Sequence, residues 1–238
     1  MTWQEVLTDY AQTNLTERVK EALYGRGVSE EQIVAYRIGY LNHDLPDLEG
    51  AEAFLRWSQG KLDDVLVLPL TTTLGVIQGF QFRHVDRERK GYQNFMPYKE
   101  EALLFGLAEA MPYVWRTGTI YLVEGAFDLF PIQRHFPGVV ATLTAKIPEN
   151  LVPVMRRLVH TVWVGYDADP AGKAATKQIV RELGSEFSVR PVYYPPVKAY
   201  GSDRPIKDPG ELWEAWGDDQ FGKFIQTLVG STKEFADG

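Results

Sequence analysis

The alternation that begins at Thr119 constrains this chain more than any other feature. Short apolar, β-rich runs take turns with helix-forming stretches: "TIYLVEG", "AFDLFPIQRHF", "GVVATL", "IPENLVPVMRRLV", "HTVWVGYDAD", "PAGKAATKQIVRELG", "FSVRPVYYP". A strand that returns parallel to its predecessor needs a crossover of this length, usually a helix. The runs are too apolar for a sheet with one wet face. The expectation is an α/β fold, a parallel sheet flanked by helices.

In open parallel sheets, ligands bind outside the carboxyl ends of the strands. Acids stand at these ends. After "TIYLV" comes "EGAFD": Glu124 at the strand tip, Gly125 allowing close backbone approach, and Asp128 four residues on, on the same side of the junction. After "HTVWVG" comes "YDADPAG", where Asp167 and Asp169 are two apart in an extended segment and so face one side. Pro170 suits a first helical position. A further acidic tip, "IKDPGE", supplies Asp208 with Glu211 nearby. Each acid alone has a plainer explanation. Asp167 or Asp169 would cap a helix, Asp128 would sit solvated on one, Glu124 would cap its own, and Gly172 would serve close packing. Caps do not require all of them on one sheet. Converging carboxylates raise the cost of ionising one another. A divalent cation relieves that cost, and Mg²⁺ prefers a few carboxylates, waters and substrate phosphate. Two such ions serve phosphoryl transfer.

The first half reads as α+β. Leu15 to Tyr24 is expected to be a helix with Asn14 as N-cap. Ser29 with Gln32 three residues on forms a capping-box pattern, and Ala51 to Trp57 is helical. "DVLVLPLTTTLGVIQGFQFRHVD" reads as a β-hairpin around a Thr/Gly turn. Glu100 to Trp115 reads as a helix interrupted at Pro112. A boundary is expected near Gly118, dividing an N-terminal α+β subdomain (1–118, basic hairpin region 65–99) from a catalytic domain (119–210) and a short helical tail (211–238).

The formal net charge is −7 over 238 residues, which speaks against a nucleic-acid partner only if the acid is evenly spread. It is not. Acid concentrates before Gln78 and after Gly210, whereas Gln78 to Lys99 holds five Lys and Arg against two acids. There is no cysteine, which excludes disulfides, zinc ribbons and thiol catalysis. No apolar run is long enough to span a bilayer, and Met1 to Lys20 lacks a signal-peptide core. A soluble, cytoplasmic protein with no membrane partner is expected.

The paired motifs resemble those of the Toprim domain, shared by topoisomerases, bacterial (DnaG-type) primases, some nucleases and recombination mediators. "VEGAFD" matches its Glu-Gly motif, "YDADPAG" its Asp-x-Asp motif, and "KDPGE" resembles the third acidic motif of the primase branch. "YGRGVSEEQIVAYRIGY" is similar to the opening of the primase polymerase core. "VLPLTTTLGVIQGFQFR" is similar to its hairpin, ending at Arg83, and "KGYQNFMPYKEEALLFGLAEA" to the basic stretch that follows, where Lys90 and Asn94 match. The likeness runs from about Tyr24 to about Trp213.

This resemblance implies a DNA primase: metal-dependent, template-directed synthesis of short RNA primers on single-stranded DNA, set in a phage, plasmid or other mobile replication module. It implies Glu124 as general base or acid near the attacking 3′-hydroxyl, with Asp128 supporting the catalytic set of Glu124, Asp167 and Asp169. Mg²⁺ or Mn²⁺ would be held by Glu124, Asp167, Asp169 and Asp208. Arg83, Lys90, Asn94, Lys99 and Lys173 would contact nucleotide or nucleic acid. The partners implied are a single-stranded DNA template, NTPs, and a replicative helicase or a separate zinc-ribbon partner, because a chain without cysteine cannot carry the family's zinc ribbon. The sequence also departs from the family at "YKEEA", where Glu100 and Glu101 replace expected cations, and at "ATLTAKIP", which lacks an expected glycine. Two other readings stay open: a Toprim nuclease using the same metals, and a non-catalytic nucleic-acid-binding accessory subunit.

Overall fold

The first helix starts at a reciprocal cap. Thr2 accepts from the Glu5 N–H, and Glu5 accepts from the Thr2 N–H at 2.8 Å, opening α1 (Trp3–Thr13). Asn14, expected to open the next helix, instead closes this one. Helix α2 (Glu17–Tyr24) therefore starts two residues later than expected, where the Thr16 hydroxyl accepts from the Val19 N–H. Helix α3 (Glu30–Ala35) has the expected Ser29–Gln32 capping box.

The computed structural model describes residues 1–89, 91–97, 104–147 and 151–230. Two compact units emerge, Met1–Leu103 and Leu104–Gly238. In the first, β1 (Gly39–Leu41) is followed by α4 (Glu52–Ser58), β2 (Val65–Thr71), β3 (Ile77–His84) and β4 (Tyr92–Phe95). The strands form one antiparallel sheet in the order β1-β2-β3-β4. The expected hairpin is β2–β3, with Val67 opposite Phe82 and an irregularity at Leu70/Thr71 beside the turn. Strand alternation turns Phe80 and Phe82 to one face. There they join Trp3, Phe54, Trp57 and Phe95, with Trp3–Phe54 and Phe54–Phe95 centroids each 5.2 Å apart. A Cβ at Gly39 would stand 2.5 Å from the Ala11 Cβ, so α1 lies directly on β1.

The second unit opens with α5 (Leu107–Thr117), which runs through Pro112 rather than breaking there and stops at Gly118 (φ +61°). The Glu100–Leu103 part of the expected helix lies outside the described residues. Then come β5 (Thr119–Val123), α6 (Ala126–Gln133), β6 (Val139–Ala141), α7 (Val152–Leu158), β7 (Thr161–Val164), α8 (Pro170–Leu183), β8 (Ser188–Pro191), α9 (Pro209–Trp216) and α10 (Asp218–Gly230). The four strands are parallel in the order β6-β5-β7-β8. Ile120, Tyr121, Leu122 and Val123 are all buried, so both faces of the central strand are covered, as the unbroken apolar runs predicted. Helix α5 packs on β5 and β6, α6 on β6 and β5, α8 on β8, and α9 and α10 on α6. Helix α5 belongs to the second unit, which begins at Leu104. Among the described residues, no helix is long and apolar enough to cross a membrane.

Candidate active site

From β5 the chain passes first to β6 on one side and later to β7 on the other. The carboxyl ends of β5 and β7 therefore flank a topological switch point, where open α/β sheets leave a crevice. The register pairs Leu122 with Val164, and the Gly165 N–H donates to the Leu122 carbonyl at 2.9 Å, so the two tips stay level. Two tyrosines, Tyr166 buried and Tyr194 half-buried, fix the β7 tip. The Tyr194 hydroxyl donates to the Gly165 carbonyl at 2.7 Å, and the hydroxyls of Tyr166 and Thr142 are 2.7 Å apart.

Five acids surround this crevice. Glu124 follows β5 directly. Asp128, in the first turn of α6, accepts the Gly125 N–H on Oδ2 at 3.1 Å. A Cβ at Gly125 would lie 2.5 Å from that oxygen, so only glycine allows the contact. Past β7, the backbone of Asp167 lies against Gly172 of α8, where a Cβ would come within 2.2 Å of the Asp167 carbonyl oxygen. Asp169 caps α8, its Oδ1 accepting the Gly172 N–H at 2.8 Å, with Pro170 at the first helical position. Asp208 caps α9 in the same way, accepting the Glu211 N–H at 2.7 Å. The two capped loops are tied together because the Ala168 N–H donates to the Lys207 carbonyl at 2.5 Å. Gly210 sits between two of the acids: a Cβ there would be 3.4 Å from Asp208 Oδ1 and 3.5 Å from Asp128 Oδ1.

The electrostatics record the crowding. Burial, then the charges of Asp208 and Asp167, push Asp128 well above the carboxylate range. Burial and Asp208, with Glu124 and Asp169 adding to them, push Asp167 up to about 7. Glu124 also rises, through burial and then Asp169. Lys207 opposes all three shifts, its Nζ lying 3.1 Å from Asp208 Oδ2. Sequence reasoning passed over Lys207, although it directly precedes the acid in "IKDPGE".

Oxygen donors under mutual repulsion suit a hard divalent cation. Among the described residues, no three His, Cys, Asp or Glu side chains already form a closed metal cage. No hydrogen bond among the described residues reaches the carboxylates of Glu124 or Asp167.

The expected cations are distributed differently. Lys173 is exposed one turn into α8, in the same unit as the acids. Arg83 and Asn94 belong to the first unit, on β3 and β4. Arg83 is half-buried, and Asn94 accepts a hydrogen bond from the Gln81 side chain at 3.0 Å. Lys90 and Lys99 lie outside the described residues.

A family model described as Toprim-like matches residues 121–203, the stretch that carries Glu124, Asp128, Asp167 and Asp169. The DNA primase of Aquifex aeolicus is 30% identical over 175 residues, covering 71% of this chain and 35% of that protein. A solved DnaG catalytic core superposes with a TM-score of 0.74 at 19% identity, covering 94% of this chain and 78% of that one. The catalytic domain of a DnaG primase bound to single-stranded DNA superposes with a TM-score of 0.69 at 19% identity, over 94% and 77%.

The chain carries a Toprim-like domain within the fold of a bacterial primase catalytic core. The chain spans about a third of the length of the curated relatives it matches. Its acids follow the strands of the Toprim-like segment, except Asp208, which lies just past the matched residues.

Proposed function

We propose that this chain is the catalytic core of a DNA primase, making short RNA primers on single-stranded DNA from NTPs. The observation that carries the reading is the convergence of Glu124, Asp128, Asp167, Asp169 and Asp208 on one crevice, with three of them held above their ordinary ionisation range. In this reading residues 119–210 carry the chemistry. Asp167, Asp169 and Asp208, with Glu124, would hold Mg²⁺ or Mn²⁺. Such an ion supplies charge neutralisation at the reacting phosphate and lowers the pKa of an oxygen bound to it.

The rest falls to the protein. Glu124 would take the proton from the primer 3′-hydroxyl as that oxygen attacks the α-phosphorus of the incoming NTP. The new phosphodiester bond forms as the bond to pyrophosphate breaks. Asp128, tied to the Gly125 N–H, holds the entry of α6 in place beside Glu124. Arg83, Lys90, Asn94, Lys99 and Lys173 would contact nucleotide phosphates or the nucleic-acid backbone, where cations contribute affinity that salt weakens. Single-stranded DNA as template is supported by the related catalytic domain that binds it. A replicative helicase and a zinc-ribbon partner would supply loading and initiation, and the setting would be the cytoplasm.

The test is NTP incorporation on single-stranded DNA with and without Mg²⁺ or Mn²⁺, run beside Glu124→Gln. Metal-dependent product, reduced by at least about a hundredfold in the variant, is the expected result. No product from the wild-type chain, or equal product from the variant, refutes the reading. Metal-dependent cleavage of DNA without NTPs would favour a nuclease instead.

A further inference from the structure

One lysine stands among these acids on an anchored segment. The Lys207 N–H donates to Glu211 Oε2 at 2.9 Å, and its carbonyl accepts the Ala168 N–H, so its backbone is held from both sides. The preceding Ile206 is buried. The side chain is not trapped: it is 50% exposed, and its Nζ contacts Asp208 Oδ2 at 3.1 Å. The other cations of this loop are already committed, because Arg204 forks onto both oxygens of Glu211 at 2.6 and 2.7 Å and the Lys198 ammonium pairs with Asp203 at 2.7 Å. The nearby carboxylates of Glu124, Asp128 and Asp167 have no comparable contact with a cationic side chain among the described residues. Lys207 is therefore the cation that offsets this cluster, and it does so from an oxygen that a metal would need.

We propose that Lys207 is a tethered counter-ion of the carboxylate site, its ammonium holding Asp208 until a divalent cation displaces it. The inference rests on the metal-site reading above and adds how that site is kept intact and tuned when empty. A fixed monovalent charge lets four or more acids share a crevice without bound metal. The same charge lowers metal affinity twice over, by occupying Asp208 Oδ2 and by repelling the incoming cation. Displacement needs no backbone change, because the hydrogen bonds that anchor Lys207 are made by its main chain.

The test uses the full chain and Mn²⁺ alone, titrated by the loss of the free-ion electron paramagnetic resonance signal. Wild type, Lys207→Gln, Lys207→Arg and Asp167→Asn are compared, with thermal unfolding measured in EDTA and in saturating Mn²⁺. Lys207→Gln should bind Mn²⁺ roughly two- to fivefold more tightly, the range an exposed ion pair allows. It should melt below wild type in EDTA and recover in Mn²⁺, whereas Lys207→Arg binds no more tightly than wild type. If glutamine impairs folding, Lys207→Met keeps the aliphatic stem and gives the same comparison. Equal or weaker Mn²⁺ binding by the neutral variants, in a protein that loses Mn²⁺ through Asp167→Asn, overturns the counter-ion alone. A wild type that binds no Mn²⁺, or binds it regardless of Asp167→Asn, overturns the metal-site reading and this inference with it.

Discussion

Asp167 is where local chemistry and global stability meet. Its folded carboxyl keeps the proton up to about pH 7 because it is buried beside Asp208, Glu124 and Asp169. An unfolded aspartate releases its proton near pH ~4. Between those values the folded, metal-free protein binds more protons than the unfolded chain, so stability falls as pH rises. Asp128 and Glu124 shift in the same direction. The thermal midpoint in EDTA should therefore drop from pH 5 to pH 7, and saturating Mg²⁺ should flatten the slope. A midpoint in EDTA that climbs across this window would contradict the assigned directions. Glu124, Asp167 and Asp169 stood out in the sequence because they come just after apolar runs and the Asp167/Asp169 pair is followed by proline. Lys207 did not, because the charges of Glu124 and Asp167 that it offsets lie far away in the chain and come near it only in the folded sheet.

Helix α8 shows how an element carries the site. A glycine inside a helix ordinarily costs about 1 kcal/mol relative to alanine, so Gly172→Ala should stabilise if helix propensity decided. Here the added Cβ would lie 2.2 Å from the Asp167 carbonyl oxygen and 2.8 Å from its nitrogen. These are backbone atoms that no rotamer change can move. Overpacking of this kind costs about 1–3 kcal/mol, which outweighs the propensity gain. Urea unfolding of Gly172→Ala should give a lower midpoint with an unchanged m-value. A raised midpoint would mean that α8 is not pressed against the Asp167 loop. Elements with strong periodic or apolar patterns were readable: the parallel strands, the β2–β3 hairpin and the capped α3. Helix α1 and strands β1 and β4 were not singled out. Strand β1 is only three residues long, and β4 is an edge strand whose Tyr92 is exposed, so neither has the alternation of a half-buried strand. The start of α2 was misplaced because Asn14 and Thr16 are both competent caps, and the end of α1 uses the first.

At the scale of the whole molecule, the division before α5 separates the residues proposed for metal chemistry from most of those proposed for nucleotide contact. Every acid of the crevice, the lysine that offsets them and Lys173 fall within Leu104–Gly238, whereas Arg83 and Asn94 fall within Met1–Leu103. The second unit has its own parallel sheet and its own buried core, including Tyr121, Phe130, Val162 and Ile179. A unit with its own core is able to fold alone. Residues 104–238 expressed by themselves should therefore unfold cooperatively and bind Mn²⁺ within about threefold of the full chain. A tenfold difference, by contrast, would correspond to about 1.4 kcal/mol of metal-binding energy drawn from the missing half. The fragment should nevertheless make no primer, because the phosphate contacts proposed for Arg83 and Asn94 are gone. Metal titration and NTP incorporation on the same preparation separate the two statements. Primer synthesis by the fragment would confine nucleotide recognition to the Toprim-like unit and remove the role proposed for the hairpin. Loss of Mn²⁺ binding in a folded fragment would instead mean that the crevice needs the first unit to form.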